Sequence, residues 1–260
     1  MRSGQRTAYL ERLGVPSPGR PTSQALRTLH AAHLHRVPFE NLSIHLDEDI
    51  DLDPDLLVDK VVERRRGGFC FELNGAFAAL LATLGFQVEL HGARVYEEDG
   101  RLGPPLDHLV LRVTCPADPD GTVWMADVGF GGDSPLWPLE FGTAVAVTDP
   151  LGPVASVTTE EGDADLVRAG TPRYRVEPRA RELADFRGMC WYHRTSPDST
   201  FTRDTICTRR TETGRISLSG RRLIVTVDGQ RSERHLEDDD ELLAAYREHF
   251  GIVLDRVPTR

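Results

Sequence analysis

One cysteine of this chain, Cys70, lies in the stretch RRRGGFCFELNGAF at residues 64–77, between a basic glycine-containing segment and an apolar run. A thiolate is a far stronger nucleophile than a thiol, so a catalytic cysteine needs positive charge, a helix N-terminus or an imidazolium to lower its pKa. The arginines before Cys70 and the helix predicted after it would supply the first two, while Gly67 and Gly68 let the backbone bend closely around the sulfur. The competing interpretation is a small apolar core residue, the commoner role of a lone cysteine.

A cysteine nucleophile also needs a base, and the base needs an orienting partner. His108 opens the strand-like stretch HLVLRVT, and Asp127 lies in TVWMADVGF. The midpoint between these two residues falls within CPADPDG at 115–121, which has a strong turn composition, so a hairpin would place the two side chains opposite or nearly opposite each other. Aspartate is depleted in strand interiors, which makes Asp127 informative. The alternatives are a hydrogen-bonding carboxylate at a strand end and a half-buried histidine without a catalytic role.

The elements that must position these residues follow from patterning. Thr22 or Ser23 caps a helix that Pro38 ends, and Asp53 followed by Pro54 opens another, which Gly67 and Gly68 stop. The helix after Cys70 carries an apolar face and closes at Gly85. From about residue 88 the pattern changes to short strands separated by turns, and the helix DELLAAYREHF, closed by Gly251, ends the chain.

Five motifs, taken in order along the chain, resemble the arylamine N-acetyltransferase family. The similarity extends from YLERLGV at 9–15 to FGIVLD at 250–255. Any one of the motifs alone would be weak evidence, whereas the ordered set is specific. They are VPFENL at 37–42, RGGFCFELN at 66–74, DHLVLRV at 107–113, DVGFGG at 127–132 and HRTSPDSTF at 193–201.

The resemblance implies an α+β fold in three segments with a cysteine-protease-like Cys-His-Asp core. Residues 1–87 would form a helical bundle that carries the nucleophile. Residues 88–190 would form an antiparallel β-barrel that carries the histidine and the aspartate. Residues 191–260 would form a shortened α/β lid.

The same resemblance implies acetyl transfer from acetyl-CoA to an arylamine by a ping-pong mechanism through an acyl-cysteine, with acetyl-CoA as co-substrate and no permanently bound cofactor. It implies a triad of Cys70, His108 and Asp127. The family's glycine loop, which would approach the CoA moiety, maps onto Gly129, Phe130, Gly131 and Gly132. The acceptor pocket maps onto Val95, Phe130 and Phe201, against the alternative of ordinary core residues. Glu40 and Arg66 match the family's structural ion pair, whose role is positioning rather than stability.

Charge limits the choice of partners. The formal net charge of −10 argues against general nucleic-acid binding, although a local basic patch can still hold a phosphate-bearing ligand. Arg203, Arg209 and Arg210 are the predicted source of positive charge for such a patch. With 39% hydrophobic and 28% charged residues and no long apolar run, the chain is expected to interact with no membrane. Four cysteines without a CxxC spacing favour a reducing cytoplasm over a disulfide scaffold or a zinc ribbon.

A histidine-rich stretch, HAAHLH, has the composition of a metal site. However, the spacing of His30, His33 and His35 does not bring three imidazoles together on one helix, and no acidic or thiolate ligand accompanies them. We therefore expect no metal. The other cysteines, Cys115, Cys190 and Cys207, are expected to have no catalytic role.

Three alternatives remain open at the level of sequence. The first is the amide synthase branch of the same family, which releases or cyclises a polyketide thioester by arylamine attack. Its donor is held on an acyl carrier protein. The short last segment of this chain resembles the compact lid of those synthases. The second is a transglutaminase-like or papain-like cysteine hydrolase, which would leave DVGFGG and TSPDSTF unexplained. The third is a catalytically silent binding module, which the intact reactive set argues against.

Overall fold

Helices form the first part of the molecule, as the sequence predicts. The computed structural model describes residues 1–2 and 4–259; Ser3 and Arg260, within the first and third predicted segments, lie outside this description. The Thr22 hydroxyl caps the second helix by accepting a hydrogen bond from the Ala25 N–H at 3.2 Å, and Asp53 caps the fourth helix, in which Pro54 is the first residue. Both predicted helix starts are confirmed. The helices of this part are Gln5–Leu13 (α1), Ser23–Arg36 (α2), Leu42–His45 (α3), Pro54–Val62 (α4) and Cys70–Thr83 (α5).

The end of α4 differs from the prediction. The helix ends at Val62, well before Gly67 and Gly68, and the backbone turns at Arg65, which adopts a left-handed φ of 50°. Gly67 has a different purpose, because a Cβ there would lie 1.8 Å from the carbonyl oxygen of Pro38. The glycine permits the close approach of two backbones ahead of the nucleophile rather than ending a helix.

The middle of the chain forms a seven-stranded antiparallel sheet in the order β5-β4-β3-β2-β8-β7-β6. Its edge strands β5 and β6 come into contact, so the sheet nearly closes into a barrel. Buried side chains such as Val110, Tyr174 and Val176 fill its interior. The strands, including those of a second sheet, are Phe39–Glu40 (β1), Gln87–Val95 (β2), His108–Thr114 (β3), Val123–Ala126 (β4), Leu139–Glu140 (β5), Val154–Thr158 (β6), Ala164–Arg168 (β7), Thr171–Arg181 (β8), Ile206–Arg210 (β9), Gly214–Ser219 (β10), Arg222–Val227 (β11) and Gln230–His235 (β12).

The last part of the chain shares its sheet with the first. Five antiparallel strands follow the order β1-β9-β10-β11-β12, so the two-residue strand β1 of the N-terminal part pairs with β9. Leu42 and Leu46 belong to the apolar core that covers this sheet, together with Tyr246 and Phe250 from the last helix. The helices of this part are Arg187–Thr195 (α6) and Asp239–Phe250 (α7).

The predicted α+β class is confirmed, and α7 closes at Gly251 with a left-handed φ of 69°, as expected. Among the described residues, no helix combines the length and apolar character that crossing a membrane requires. The boundaries 1–87, 88–190 and 191–260 remain a proposal, and α6 extends across the second of them.

Candidate active site

Cys70 is the first residue of α5 and is 4% exposed. At the start of the helix the Glu72 carboxylate accepts a hydrogen bond from the Phe69 N–H at 3.1 Å, which is half of a capping box, since the Phe69 side chain has no acceptor. The buried Lys60 ammonium in turn contacts Glu72 at 2.5 Å. The start of the helix is therefore fixed by a buried ion pair, and the cysteine is held with it.

A second buried ion pair anchors the loop before the cysteine. The Arg66 Nε contacts Glu40 Oε1 at 3.0 Å, and its Nη2 contacts Glu40 Oε2 at 3.2 Å. Glu40 also accepts a hydrogen bond from the Leu42 N–H at 2.7 Å. The expected contact between Glu40 and Arg66 is thus present, and it connects β1 to the loop that carries the nucleophile.

The electrostatic setting of the thiol differs from the expectation. Burial raises the pKa of Cys70 well above its usual value, the carboxylates of Asp107 and Asp127 raise it further, and only the Phe71 N–H lowers it. The preceding arginines give little help, because Arg66 pairs with Glu40 and Glu48. The prediction that these arginines lower the thiol pKa is wrong: the pKa is raised, and the carboxylates of Glu48 and Glu40 neutralise Arg64 and Arg66. A thiolate at this position needs an imidazolium beside it.

His108 and Asp127 are hydrogen-bonded, with His108 Nε2 and Asp127 Oδ2 2.8 Å apart. The pairing of β3 with β4 sets Leu111 against Ala126, so continuing the register would place Asp127 opposite Val110. His108 lies two residues further along the strand, which puts it on the same face and makes the contact diagonal rather than direct. Because an ionised carboxylate only accepts hydrogen bonds, His108 Nε2 carries the proton and Nδ1 is the basic nitrogen.

Asp127 is held in place by three residues, of which Asn74 was not predicted from the sequence and His30 and Gly129 were not predicted to have this role. Its Oδ1 accepts hydrogen bonds from Asn74 Nδ2 at 2.9 Å and from the Gly129 N–H at 2.8 Å, and its own N–H donates to His30 Nε2 at 3.0 Å. Burial alone would raise the pKa of Asp127, but His108 and these donors hold it below the usual value. Asn74 also connects α5 directly to the His–Asp pair. An amide one turn after Cys70, in a helix whose other residues between Glu72 and Thr83 are apolar, was the available signal.

Cys70 and His108 line one cavity of about 520 Å³, and Asp127 is buried behind the histidine. The predicted pocket residues Val95, Phe130 and Phe201 also line it. The Phe130 ring lies 5.1 Å from the His108 ring, centroid to centroid, and Tyr174 packs against the same imidazole at 4.9 Å. The structure therefore brings the predicted nucleophile, base and aromatic pocket residues together.

The predicted glycine loop borders the cavity, and its glycines are required by packing. A Cβ on Gly129 would lie 2.8 Å from Cys70 Cα, and one on Gly132 would lie 2.9 Å from Thr208 Oγ1. Gly131 has a left-handed φ of 62°. The absence of side chains thus lets this loop lie directly against the nucleophile, whatever ligand the cavity takes.

The arginines predicted near phosphates are engaged elsewhere. Arg210 is buried and contacts Asp149 at 3.0 Å, Arg209 donates to the carbonyl of His249, and Arg203 is bonded to backbone carbonyls of its own turn. This part of the prediction is wrong. The arginines that line the cavity are Arg173 and Arg215, both beside Asp133.

His30 and His33 of HAAHLH have different partners. His30 bonds to the backbone of Asp127 and Leu136, and His33 Nε2 lies 2.9 Å from the Tyr9 hydroxyl. Burial lowers the pKa of His30 to about 4 and also lowers that of His33, so both rings are neutral. Within residues 1–2 and 4–259, no group of three His, Cys, Asp or Glu side chains is arranged to hold a metal ion.

The arrangement can perform acyl transfer. A buried thiol and an imidazole with an orienting carboxylate open to a cavity, and the backbone N–H groups at the start of α5 face outward from the helix. These are the parts needed to attack a carbonyl, stabilise the oxyanion and carry the proton.

Comparison with known proteins agrees with this chemistry. A family model described as N-acetyltransferase matches residues 22–258. The arylamine N-acetyltransferase of Mycobacterium tuberculosis is 34% identical over 253 residues, an alignment that covers 95% of this chain and 88% of the relative.

Solved structures agree in fold. The arylamine N-acetyltransferase of Salmonella typhimurium superposes with a TM-score of 0.89 at 29% identity, covering 99% of this chain and 94% of that one. The Mycobacterium marinum arylamine N-acetyltransferase in complex with CoA superposes with a TM-score of 0.86 at 31% identity, covering 95% and 92% of the two chains.

Proposed function

The chain belongs to the arylamine N-acetyltransferase family, and from this membership we propose that it transfers an acetyl group from acetyl-CoA to an arylamine through an acyl-cysteine on Cys70. The observation that carries the assignment of roles is the hydrogen bond of 2.8 Å between His108 and Asp127 behind a cavity that Cys70 also lines. We assign Cys70 as nucleophile, His108 as proton carrier and Asp127 as the residue that orients the imidazole.

In the first half-reaction the thiol proton of Cys70 moves to His108 Nδ1. The sulfur attacks the thioester carbonyl, and the N–H groups at the start of α5, near Phe71, are placed to stabilise the oxyanion. The bond between the carbonyl carbon and the CoA sulfur then breaks, and the imidazolium returns its proton to the departing CoA. One thioester replaces another of similar energy, so no external energy source is required.

In the second half-reaction a neutral arylamine attacks the acyl-cysteine. A C–N bond forms, the amine gives a proton to His108, and the C–S bond breaks as the imidazolium protonates Cys70. Arylamines are weakly basic and therefore carry a free lone pair at neutral pH, which makes them better acceptors than aliphatic amines.

We propose that the glycine loop, Gly129 and Phe130 together with Gly131 and Gly132, lies beside the pantetheine arm of the donor. Val95, Phe130 and Phe201 would form the apolar wall that receives the aromatic acceptor. Arg173 and Arg215, on the cavity lining, are the cations nearest to where phosphates would enter. All four cysteines are free thiols, which supports a reducing, cytoplasmic setting.

One observation favours a second donor. Arg209 and Arg210 are bonded inside the protein, and Arg173 and Arg215 face Asp133, so a compact phosphate clamp is weaker than the sequence suggests. A donor presented by an acyl carrier protein needs no such clamp at the cavity. That donor would make the chain an amide synthase of the same family.

Both donors are tested in one experiment. The protein is incubated separately with acetyl-CoA and with a long-chain acyl-pantetheine thioester, and the mass of the Cys70 peptide is read, followed by addition of an aniline. We expect acetyl-CoA to add an acetyl group to Cys70 and the aniline to remove it, whereas Cys70→Ala should abolish labelling and Cys115→Ala should retain it. If only the acyl-pantetheine labels Cys70, the amide synthase function is supported in place of the acetyltransferase function. Labelling that persists in Cys70→Ala would refute Cys70 as the nucleophile.

A further inference from the structure

The cavity contains a second histidine–carboxylate pair. His193, on α6, and Asp107, immediately before β3, both line the cavity with Cys70. His193 Nε2 lies 3.2 Å from the Asp107 backbone carbonyl and 3.3 Å from its carboxylate oxygen Oδ1. The histidine is buried and its partner carboxylate is only 14% exposed. The reaction described above assigns no role to either residue.

The hydrogen bonds fix the tautomer of His193. Both Asp107 oxygens near Nε2 can only accept, so Nε2 carries a proton and donates toward Asp107, while Nδ1 lies 3.4 Å from the Ser199 hydroxyl. The His193 ring also packs edge-on against Phe201, with centroids 5.0 Å apart. His193 is therefore held between two partners and, in turn, holds the Asp107 carboxylate at the cavity wall.

This carboxylate works against the nucleophile. Asp107 disfavours the charged form of Cys70, as Asp127 does. The charged and titratable groups around the two residues include His193 and Cys190 from α6, His108 from β3, Asp127 behind it, and Glu97, whose carboxylate flanks Gly103 together with Asp107. Asp133, Arg173, Asp198 and Arg215 also line the cavity. A carboxylate that hinders thiolate formation can assist a later step in which positive charge develops nearby.

We propose that the Asp107 carboxylate, positioned by His193, stabilises the positive charge that develops on the amine nitrogen as the acceptor attacks the acyl-cysteine. The inference rests on the proposed acyl transfer and adds a residue to its second half-reaction. One N–H of a primary amine gives its proton to His108, and the other donates a hydrogen bond to Asp107. The C–N bond forms, the C–S bond breaks, and the proton on His108 passes to the Cys70 sulfur, while Asp107 stays ionised throughout.

Asp107 thus has opposite effects on the two half-reactions, and this provides the test. Asp107→Asn removes the charge while its amide oxygen can still accept from His193, so a merely structural residue would change neither step. We expect alkylation of Cys70 by iodoacetamide to become faster near neutral pH, by about tenfold if the thiol pKa falls by about one unit. Acylation, followed as the burst of CoA released from acetyl-CoA, should be equal or faster. Transfer of the acetyl group to an aniline in single turnover should become slower by a similar factor.

The controls separate the possible failures. Asp240→Asn removes the same charge on the exposed first turn of α7, outside the cavity, and should leave all three rates unchanged. If the wild-type protein shows no CoA burst, the proposed function fails; if the burst is normal and Asp107→Asn alters neither alkylation nor amine transfer, the role of Asp107 is refuted while the function stands. If thermal unfolding shows that Asp107→Asn folds poorly, His193→Leu is tested instead. His193→Leu should slow amine transfer without slowing the CoA burst. His193→Gln, which can still donate to Asp107, should retain more transfer. Equal losses in both half-reactions for His193→Leu would overturn the proposal.

Discussion

At the residue scale, the histidines of this chain differ in what surrounds each imidazole ring. His30 and His33 are enclosed, and burial lowers the pKa of both, so they serve as neutral hydrogen-bonding groups. His108 lies on the cavity with an ionised carboxylate behind it. Of these three histidines, only His108 lines the cavity with Cys70, where it can take the proton that a buried thiol must lose to ionise.

A prediction for His108 follows. In His108→Gln no imidazole is available to take the thiol proton, so burial, Asp107 and Asp127 act on Cys70 against the Phe71 N–H alone. Because each of these raises the thiol pKa, the pH at which iodoacetamide alkylates Cys70 should move upward relative to wild type, and acylation by acetyl-CoA should be lost. The measurement is the alkylation rate of the Cys70 peptide against pH. His235→Gln, on the exposed strand β12, is the matched control, and an unchanged profile in His108→Gln would rule out the thiol–imidazole pair.

At the scale of elements, the N-terminus of α5 is positioned by buried charge. Arg66 and Glu40 connect β1 to the nucleophile loop, and Lys60 of α4 contacts Glu72 in the first turn of α5. Burial would raise the pKa of Glu40, but Arg66 and Lys60 hold it below its usual value. Such pairs fix geometry, and their cost becomes visible when one partner is removed.

Arg66→Met should lower the free energy of unfolding by about 3–5 kcal/mol, because it leaves the Glu40 carboxylate buried without its cation. The pKa of Glu40 is lower in the folded state than in the unfolded state, so this carboxylate stabilises the wild-type protein at pH values above its unfolded pKa of about 4.3. The contribution is lost as the pH falls through the folded pKa. The variant should therefore lose less stability on acidification than wild type. Urea unfolding at neutral and acidic pH measures both effects. Arg231→Met, in an exposed pair with Glu233, should change little, and an equally small effect at Arg66 would contradict the positioning role.

At the scale of the whole molecule, the three parts share structure. β1 belongs to the C-terminal sheet, and Leu42 and Leu46 lie in the core beneath α7. The end of the chain returns to α3, where the Thr259 N–H donates to the His45 carbonyl at 3.0 Å. His45 Nε2 in turn lies 2.9 Å from the carbonyl of Phe201, which lines the cavity. The cavity wall is thus held by contacts between distant parts of the sequence.

Residues 191–260 alone should therefore be unfolded, because β9 would lack its partner β1 and the core would lose Leu42 and Leu46. Far-ultraviolet circular dichroism and urea unfolding of this fragment test the expectation. The full chain is the control and should show a single transition by both circular dichroism and tryptophan fluorescence. A cooperative transition in the isolated fragment would establish it as an independent domain.

The sequence alone determined what depends on local pattern and residue type. Thr22, Asp53 and Gly251 predicted helix ends because capping and left-handed geometry are properties of a few neighbouring residues. The hairpin between His108 and Asp127 was predictable because one turn links its strands, so the register is set locally. The ordered motifs identified the family and, with it, the α+β architecture.

Tertiary structure decided everything that depends on distant partners. The arginines ahead of Cys70 look activating in sequence, yet Glu40 and Glu48 neutralise Arg66, so the charge near the thiol is the opposite of the prediction. Arg210 looked available for a phosphate and is buried against Asp149. The pair of Asp107 and His193 unites residues far apart in the chain. Coulomb interactions and burial depend on distance in space, which residue type and local spacing do not encode.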